Sequence, residues 1–129
     1  MTQNITFRRG TTFNKGLPLD SAASYYAKIA FTVRSRIPDS ETVLDDEDAD
    51  VVATASTEDT DEDDGDVVAT GSSVQVIFAA TVTKTWPRGR LYYELKGITA
   101  DGFVGPPIET GELMVTADYV RSVPETPAP

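Results

Sequence analysis

The chain contains no cysteine and no histidine. The first absence excludes a disulfide framework and a thiol nucleophile. The second excludes serine triads and imidazole acid/base chemistry, and the two together remove the usual zinc ligands. No stretch approaches the roughly 18 apolar residues of a membrane span. Met1 is followed by polar residues and Arg8-Arg9 rather than by an apolar signal core. The chain is therefore expected to be made in a reducing cytosol and not to enter a membrane. Long helical periodicity is missing too. What remains is 129 residues, 40% of them apolar, with one Trp, five Tyr and five Phe. That is enough to bury one core.

Basic residues are scarce where acidic ones crowd. Of 21 acidic residues, 14 fall between Asp39 and Asp66, where no Lys or Arg occurs, leaving 7 acidic against all 11 basic residues elsewhere, a net of +4. One segment thus gives the chain its charge of −10, and it would repel phosphates, so no nucleic-acid partner is expected. Asp45 to Asp48 and Glu58 to Asp66 read as a solvated, self-repelling loop. Asp59, Asp61 and Asp63 alternate like the ligands of a calcium loop. Yet counting from Asp59 places Asp64 where that loop needs glycine and Thr70 where a closing glutamate belongs. Docking onto a basic partner is the third option. Glu58 to Asp64 carries no apolar side chain for a core and is expected to be dispensable for folding.

Strand periodicity dominates the rest. Ala27, Ile29, Phe31 and Val33 alternate along one half-buried strand. Thr11 to Leu19, broken by Gly16 and Pro18, suits an edge strand with a bulge, which Ile5 and Phe7 would begin. Asp50-Val51-Val52-Ala53-Thr54 recurs as Asp66-Val67-Val68-Ala69-Thr70, two β-prone islands that fit the arms of a hairpin. Val74 to Thr83 is apolar on both faces, as in a central strand. Trp86-Pro87-Arg88-Gly89 turns the chain into Arg90 to Thr99, with Leu91, Tyr93 and Leu95 on one face. Ala100-Asp101-Gly102 reads as a tight turn, and Leu113 and Val115 face one way in a closing strand. Ser21 to Lys28 alone has room for a helical turn. About seven short strands without a crossover helix predict an all-β, antiparallel immunoglobulin-like β-sandwich over residues 1–123. It would carry an acidic loop or hairpin insertion at 39–66 and a flexible Pro-rich tail at 124–129.

The order of the pieces resembles a known group. Phe7-Arg8-Arg9-Gly10-Thr11-Thr12-Phe13, then Trp86-Pro87-Arg88-Gly89-Arg90-Leu91-Tyr92-Tyr93-Glu94-Leu95, then Ile98-Thr99-Ala100-Asp101-Gly102 and Thr110-Gly111-Glu112-Leu113-Met114-Val115-Thr116 are similar to the opening strand, Pro-Gly turn, Asp-Gly hairpin and glycine-led closing strand of small tailed-bacteriophage virion structural proteins. The resemblance implies an immunoglobulin-like module of a neck, tail, baseplate or fibre attachment, made in the host cytoplasm and built into the virion. Its partners would be itself, as a homo-oligomer, and other virion proteins. It brings no catalytic residues and no cofactor. Relatives of this kind make a short turn where residues 39–66 stand.

The residues that would carry such a role are few. Edge strands recruit other chains, and the N-terminal one, with Phe7, Arg8, Arg9 and Phe13, is the expected edge. Trp86, Tyr92 and Tyr119 are residue types enriched in interfaces, although Trp86 equally suits a lid over the sandwich end and Tyr92 core packing. Arg8, Arg9, Arg88 and Arg90 could meet the acidic segment of an adjoining copy. Two other functions stay open: a carbohydrate-binding or adhesin module stacking sugars on Trp86, Tyr92 and Tyr93, and a capsid decoration protein. A carboxylate-pair hydrolase needs two carboxyl groups fixed in a cleft, which a flexible acidic run does not provide, so the chain is expected not to be an enzyme.

Overall fold

A computed structural model describes residues 2–35, 51–58, 63–104 and 107–116. The strands are β1 (Thr2–Arg8), β2 (Phe13–Pro18), β3 (Lys28–Arg34), β4 (Val51–Ser56), β5 (Gly65–Thr70), β6 (Ser73–Phe78), β7 (Gly89–Ile98) and β8 (Glu109–Thr116). One 3-10 turn (Ala23–Tyr25) precedes β3, and one helical turn, α1 (Ala80–Thr83), follows β6. The class is all-β. The strands form a mixed sheet in the order β1-β8-β7-β3-β4-β5-β6-β2.

Alternation decides which side chains face inward. Ile29, Phe31 and Val33 of β3, Val74, Val76 and Phe78 of β6, Leu91, Tyr93 and Leu95 of β7, and Leu113 and Val115 of β8 are all buried. Their neighbours along each strand are more exposed. Phe31 on β3 lies 6.2 Å from Phe13 on β2 and 6.1 Å from Phe78 on β6, ring centre to ring centre. The half β8-β7-β3-β4 therefore folds over the half β5-β6-β2, and aromatic rings fill the space between them. β1 and β2 are the two ends of the sheet, yet the connection from Arg8 to Phe13 is short and Phe7 meets Phe13 edge-on at 5.1 Å. The sheet must curl nearly into a barrel for its ends to meet.

Two parallel pairs correct the expectation of a purely antiparallel fold. β1 runs parallel to β8 from Thr2↔Thr110 to Arg8↔Thr116, and β4 meets β5 in parallel through Ala55↔Gly65 and Ser56↔Asp66. The two echo segments are thus both strands but not the arms of a hairpin, because β5 finds its antiparallel partner in β6. Ala53 and Ala55 are core residues, so the stretch expected as an insertion supplies β4 and the start of β5 to the body. β1 is a strand of its own at the far end of the sheet from β2 rather than the start of it. β2 is an edge, as its Gly and Pro suggest, but its register with β6 runs without a bulge. The strand expected to reach Thr83 stops at Phe78 and gives way to α1. The tail at 124–129 lies outside the described residues.

Candidate interaction surface

At one end of the barrel the chain leaves β2 and is tied down by backbone bonds. Leu19 N–H donates to Ser72 O at 2.8 Å, Ala23 N–H to Gly71 O at 2.7 Å, and Ala27 N–H to Ile98 O at 2.7 Å. This fixes the 3-10 turn beside the end of β7. Tyr25 and Tyr26 meet edge-on at 5.1 Å. Tyr26 lies directly over Gly97, where a Cβ would come within 2.3 Å of the ring, so the missing side chain makes the ring's seat. Its hydroxyl donates to Asp20 Oδ1. Burial first, and then this bond to a carboxylate, raise the Tyr26 phenol above its ordinary value of 10.0.

The turn after β7 completes the surface. Gly102, at φ 86°, donates its N–H to Thr99 O at 2.9 Å, and Thr99 N–H donates to Phe103 O at 3.1 Å. Asp101 accepts the Thr99 hydroxyl and, at 3.4 Å, the Phe103 N–H. These two donors, the hydroxyl first, hold the Asp101 carboxyl below its ordinary value. The turn presents Phe103 at 64% and Val104 at 51% exposure, near Tyr25 at 62%. Tyr25, Tyr26, Phe103, Pro107 and Ile108 border a shallow cavity of about 140 Å³, with Asp20 and Thr99 supplying polar groups. Wet aromatic surface beside a few oriented acceptors can take up a flat apolar partner surface, a cation or a hydroxylated ring.

This surface escaped the sequence reading, which looked for aromatics on strands. Tyr25 and Phe103 sit in turns, where no alternation assigns a face. The one available signal is position: Phe103 directly follows Asp101-Gly102, and a large apolar side chain at a tight turn has no neighbouring strand to cover it.

Of the residues named from sequence, Phe7, Arg8, Arg9, Phe13, Trp86, Arg88 and Arg90 gather at the other end. Gly10 N–H donates to Thr83 Oγ1 at 3.2 Å, the Thr83 hydroxyl donates to Thr11 O at 2.7 Å, and Arg9 Nη1 donates to Trp86 O at 3.4 Å. These bonds seat the 9–12 loop on α1 and bring Arg8 and Arg9 to the same end as Lys84, Arg88 and Arg90. Arg90 also faces Glu112 at 3.5 Å. On the β5 side of this end, Asp64 and Asp66 stand beside Thr12 and Ala79 around a cavity of about 320 Å³.

Several named side chains are not available to a partner. Trp86 is 1% exposed and contacts Phe7 at 5.4 Å, Phe78 at 5.1 Å and Phe13 at 6.1 Å. It is a core residue, as is Phe13, and Phe7 is half-buried against them. Tyr93 is buried as well, so Trp86, Tyr92 and Tyr93 form no exposed platform. Tyr92 is half-buried on the outer face, in register with Arg34 and Glu112. Tyr119 lies outside the described residues.

Asp59 and Asp61 of the calcium-loop reading also lie outside the described residues. Asp63 accepts the Ser56 hydroxyl at 2.7 Å and the Thr54 hydroxyl at 3.4 Å, one on each carboxylate oxygen. Among the described residues no group of three or more Asp or Glu side chains is placed to hold a metal ion. No protein-family model matches the chain, and no curated protein matches it.

Proposed function

We propose that this chain is a non-catalytic assembly module of a virion, of the kind found in tailed bacteriophages, which joins larger components through protein–protein contacts. The observation that carries the reading is the exposed end formed by Tyr25, Phe103 and Val104, three of the four large apolar side chains that stand in the open among the described residues. Rigid aromatic anchors of this type concentrate binding energy at interface centres. The motif order supplies the virion setting, with synthesis in the host cytoplasm and other virion proteins as partners. Within the same reading the fold is an immunoglobulin-like module. Support comes from the facing halves β8-β7-β3-β4 and β5-β6-β2, each antiparallel within itself.

The test is the mass of the purified chain by sedimentation, alone and mixed with neighbouring virion components, together with its presence in purified particles. Association that is lost in Phe103→Ser or Tyr25→Ser, with melting unchanged, supports the reading. A strictly monomeric chain that is absent from particles ends it.

A second reading, a carbohydrate-binding module, is favoured by one observation: Asp20 and Asp101 place carboxylates beside the Tyr25–Phe103 surface, where they can accept sugar hydroxyls. Binding to a glycan array that vanishes in Tyr25→Ser would select it over assembly.

A further inference from the structure

The two ends of the barrel differ in chemistry. Among the described residues, the aromatic end (18–28, 57–58, 70–73, 98–104 and 107–109) carries exposed Asp20, Asp101 and Glu58, buried Glu109 and a single cation, Lys28, which pairs with Glu58 at 3.2 Å. The opposite end carries Arg8, Arg9, Lys84, Arg88 and Arg90 on segments 8–12 and 79–90, with Glu112 paired to Arg90 and with Asp64 and Asp66 on its β5 side. Lys84 and Arg88 are exposed in the turn between α1 and β7. β7 runs from one end to the other through ten residues, about 33 Å at roughly 3.3 Å per residue. One copy therefore cannot bring its own ends together.

We infer that the partner of the aromatic end is the basic end of a second copy, giving a head-to-tail contact in which Arg88 and Lys84 lie on Tyr25 and Phe103 and face Asp20 and Asp101. The inference rests on the assembly reading and names its partner. A guanidinium over an exposed aromatic face gains from the ring's quadrupole, and the flanking carboxylates add Coulomb attraction that salt weakens. The acidic residues near the basic end, Asp64 and Asp66, lie toward β5, beside Thr12 and Ala79. The contact is therefore built on the β7 side, where Arg88 directly precedes that strand. A contact between two different patches is heterologous, so copies close into a ring or extend along an axis. This differs from a match between the arginines and the 39–66 segment, because the acceptor is the aromatic end.

The experiment is sedimentation velocity on the full chain over a range of concentration and salt. Ala100 is exposed in the aromatic-end turn, so Ala100→Lys adds a repelling charge without removing any contact. Arg88→Glu reverses the other side. Each variant alone should weaken self-association by roughly tenfold, the scale of one or two lost exposed contacts. Ala100→Glu should tighten it, and high salt should weaken the wild type. Mixing Ala100→Lys with Arg88→Glu should restore association, because each supplies the charge that the other lacks. Self-association that Phe103→Ser abolishes but Arg88→Glu and Ala100→Lys leave unchanged would overturn the inference and leave the assembly reading standing. A wild-type chain that binds other virion components but never itself would do the same. Absence of both kinds of association would remove the assembly reading as well.

Discussion

Tyr93 donates its hydroxyl to Glu109 Oε2 at 2.9 Å between β7 and β8, with both side chains buried. The Tyr93 ring stacks on Phe31 at 5.3 Å, so the phenol is held in place from its other side. Glu109 is 1% exposed, and its Oε1 has no hydrogen-bond partner among the described residues. Tyr93→Phe removes this donor from a buried carboxyl and should cost about 1 to 3 kcal/mol, whereas Glu109→Gln keeps an acceptor for the phenol and should cost less. Urea unfolding of both variants gives the order, and a larger loss in Glu109→Gln would contradict it.

Trp86 packs against three phenylalanines, and its indole N–H has no hydrogen-bond partner among the described residues. Its contribution is accordingly shape and area. Trp86→Ala should cost about 3 to 5 kcal/mol and Trp86→Phe markedly less. Thermal melts test this, and a stable Trp86→Ala variant would return the residue to the surface.

How far the sequence showed this molecule depends on whether local pattern or distant partners decide the outcome. Leu91, Tyr93 and Leu95 alternate with polar neighbours, and they face the core as alternation requires. Gly89 and Gly102 take φ values of 111° and 86°, as their turns demand. The 3-10 turn at Ala23–Tyr25 falls inside the one segment with room for it. Pairing was hidden, because nothing in Val51–Ser56 says that it will meet β5 in parallel through two residues while β5 takes β6 as its main partner. Glu109 was missed because a lone glutamate opening a strand looks like a solvated end, and only Tyr93 across the ladder makes it a core residue. Trp86 was left open between core and surface, since a turn residue's direction is set by what packs above it.

Gly65 sits where the two halves of the sheet join, opposite Ala55. A Cβ there would lie 2.4 Å from Ile77 O and 2.5 Å from Phe78 Cδ1, one a ladder carbonyl and the other a buried ring. Neither can move cheaply, so Gly65→Ala should lower stability by about 1 to 3 kcal/mol. Gly16→Ala is the control, because its Cβ would meet Gln75 Oε1 at 3.5 Å, an ordinary contact. Equal urea midpoints for the two variants would contradict the close approach.

Asp101 is ionised at lower pH in the folded chain than its ordinary value allows, chiefly through the Thr99 hydroxyl and then the Phe103 N–H. A folded value below the unfolded one means that the turn's contribution is complete above the ordinary carboxylate range and fades as the pH falls through the folded value. Carboxyl NMR should place Asp101 below other exposed aspartates, and Thr99→Val should move it upward. Unchanged titration in that variant would rule out the hydroxyl as the main cause.

The acidic segment sets two effects against each other. Removing any aspartate from a chain of net charge −10 relieves repulsion and should stabilise it slightly. Asp63, however, accepts the hydroxyl of Ser56, which is 2% exposed, and Asp64 Oδ2 accepts Thr54 N–H at 3.0 Å while its own N–H donates to Thr54 O at 2.7 Å. Losing the partner of a buried hydroxyl costs about 1 to 3 kcal/mol, more than one exposed charge returns. Asp63→Ala should therefore destabilise even at low salt, and Asp66→Ala, exposed on β5, should be neutral or slightly stabilising. Asp63 and Asp64, the last two residues of the stretch expected to be dispensable for folding, hydrogen-bond Thr54 and Ser56 at the end of β4. Equal stability of the Asp63→Ala and Asp66→Ala variants in urea would show that charge alone governs the segment.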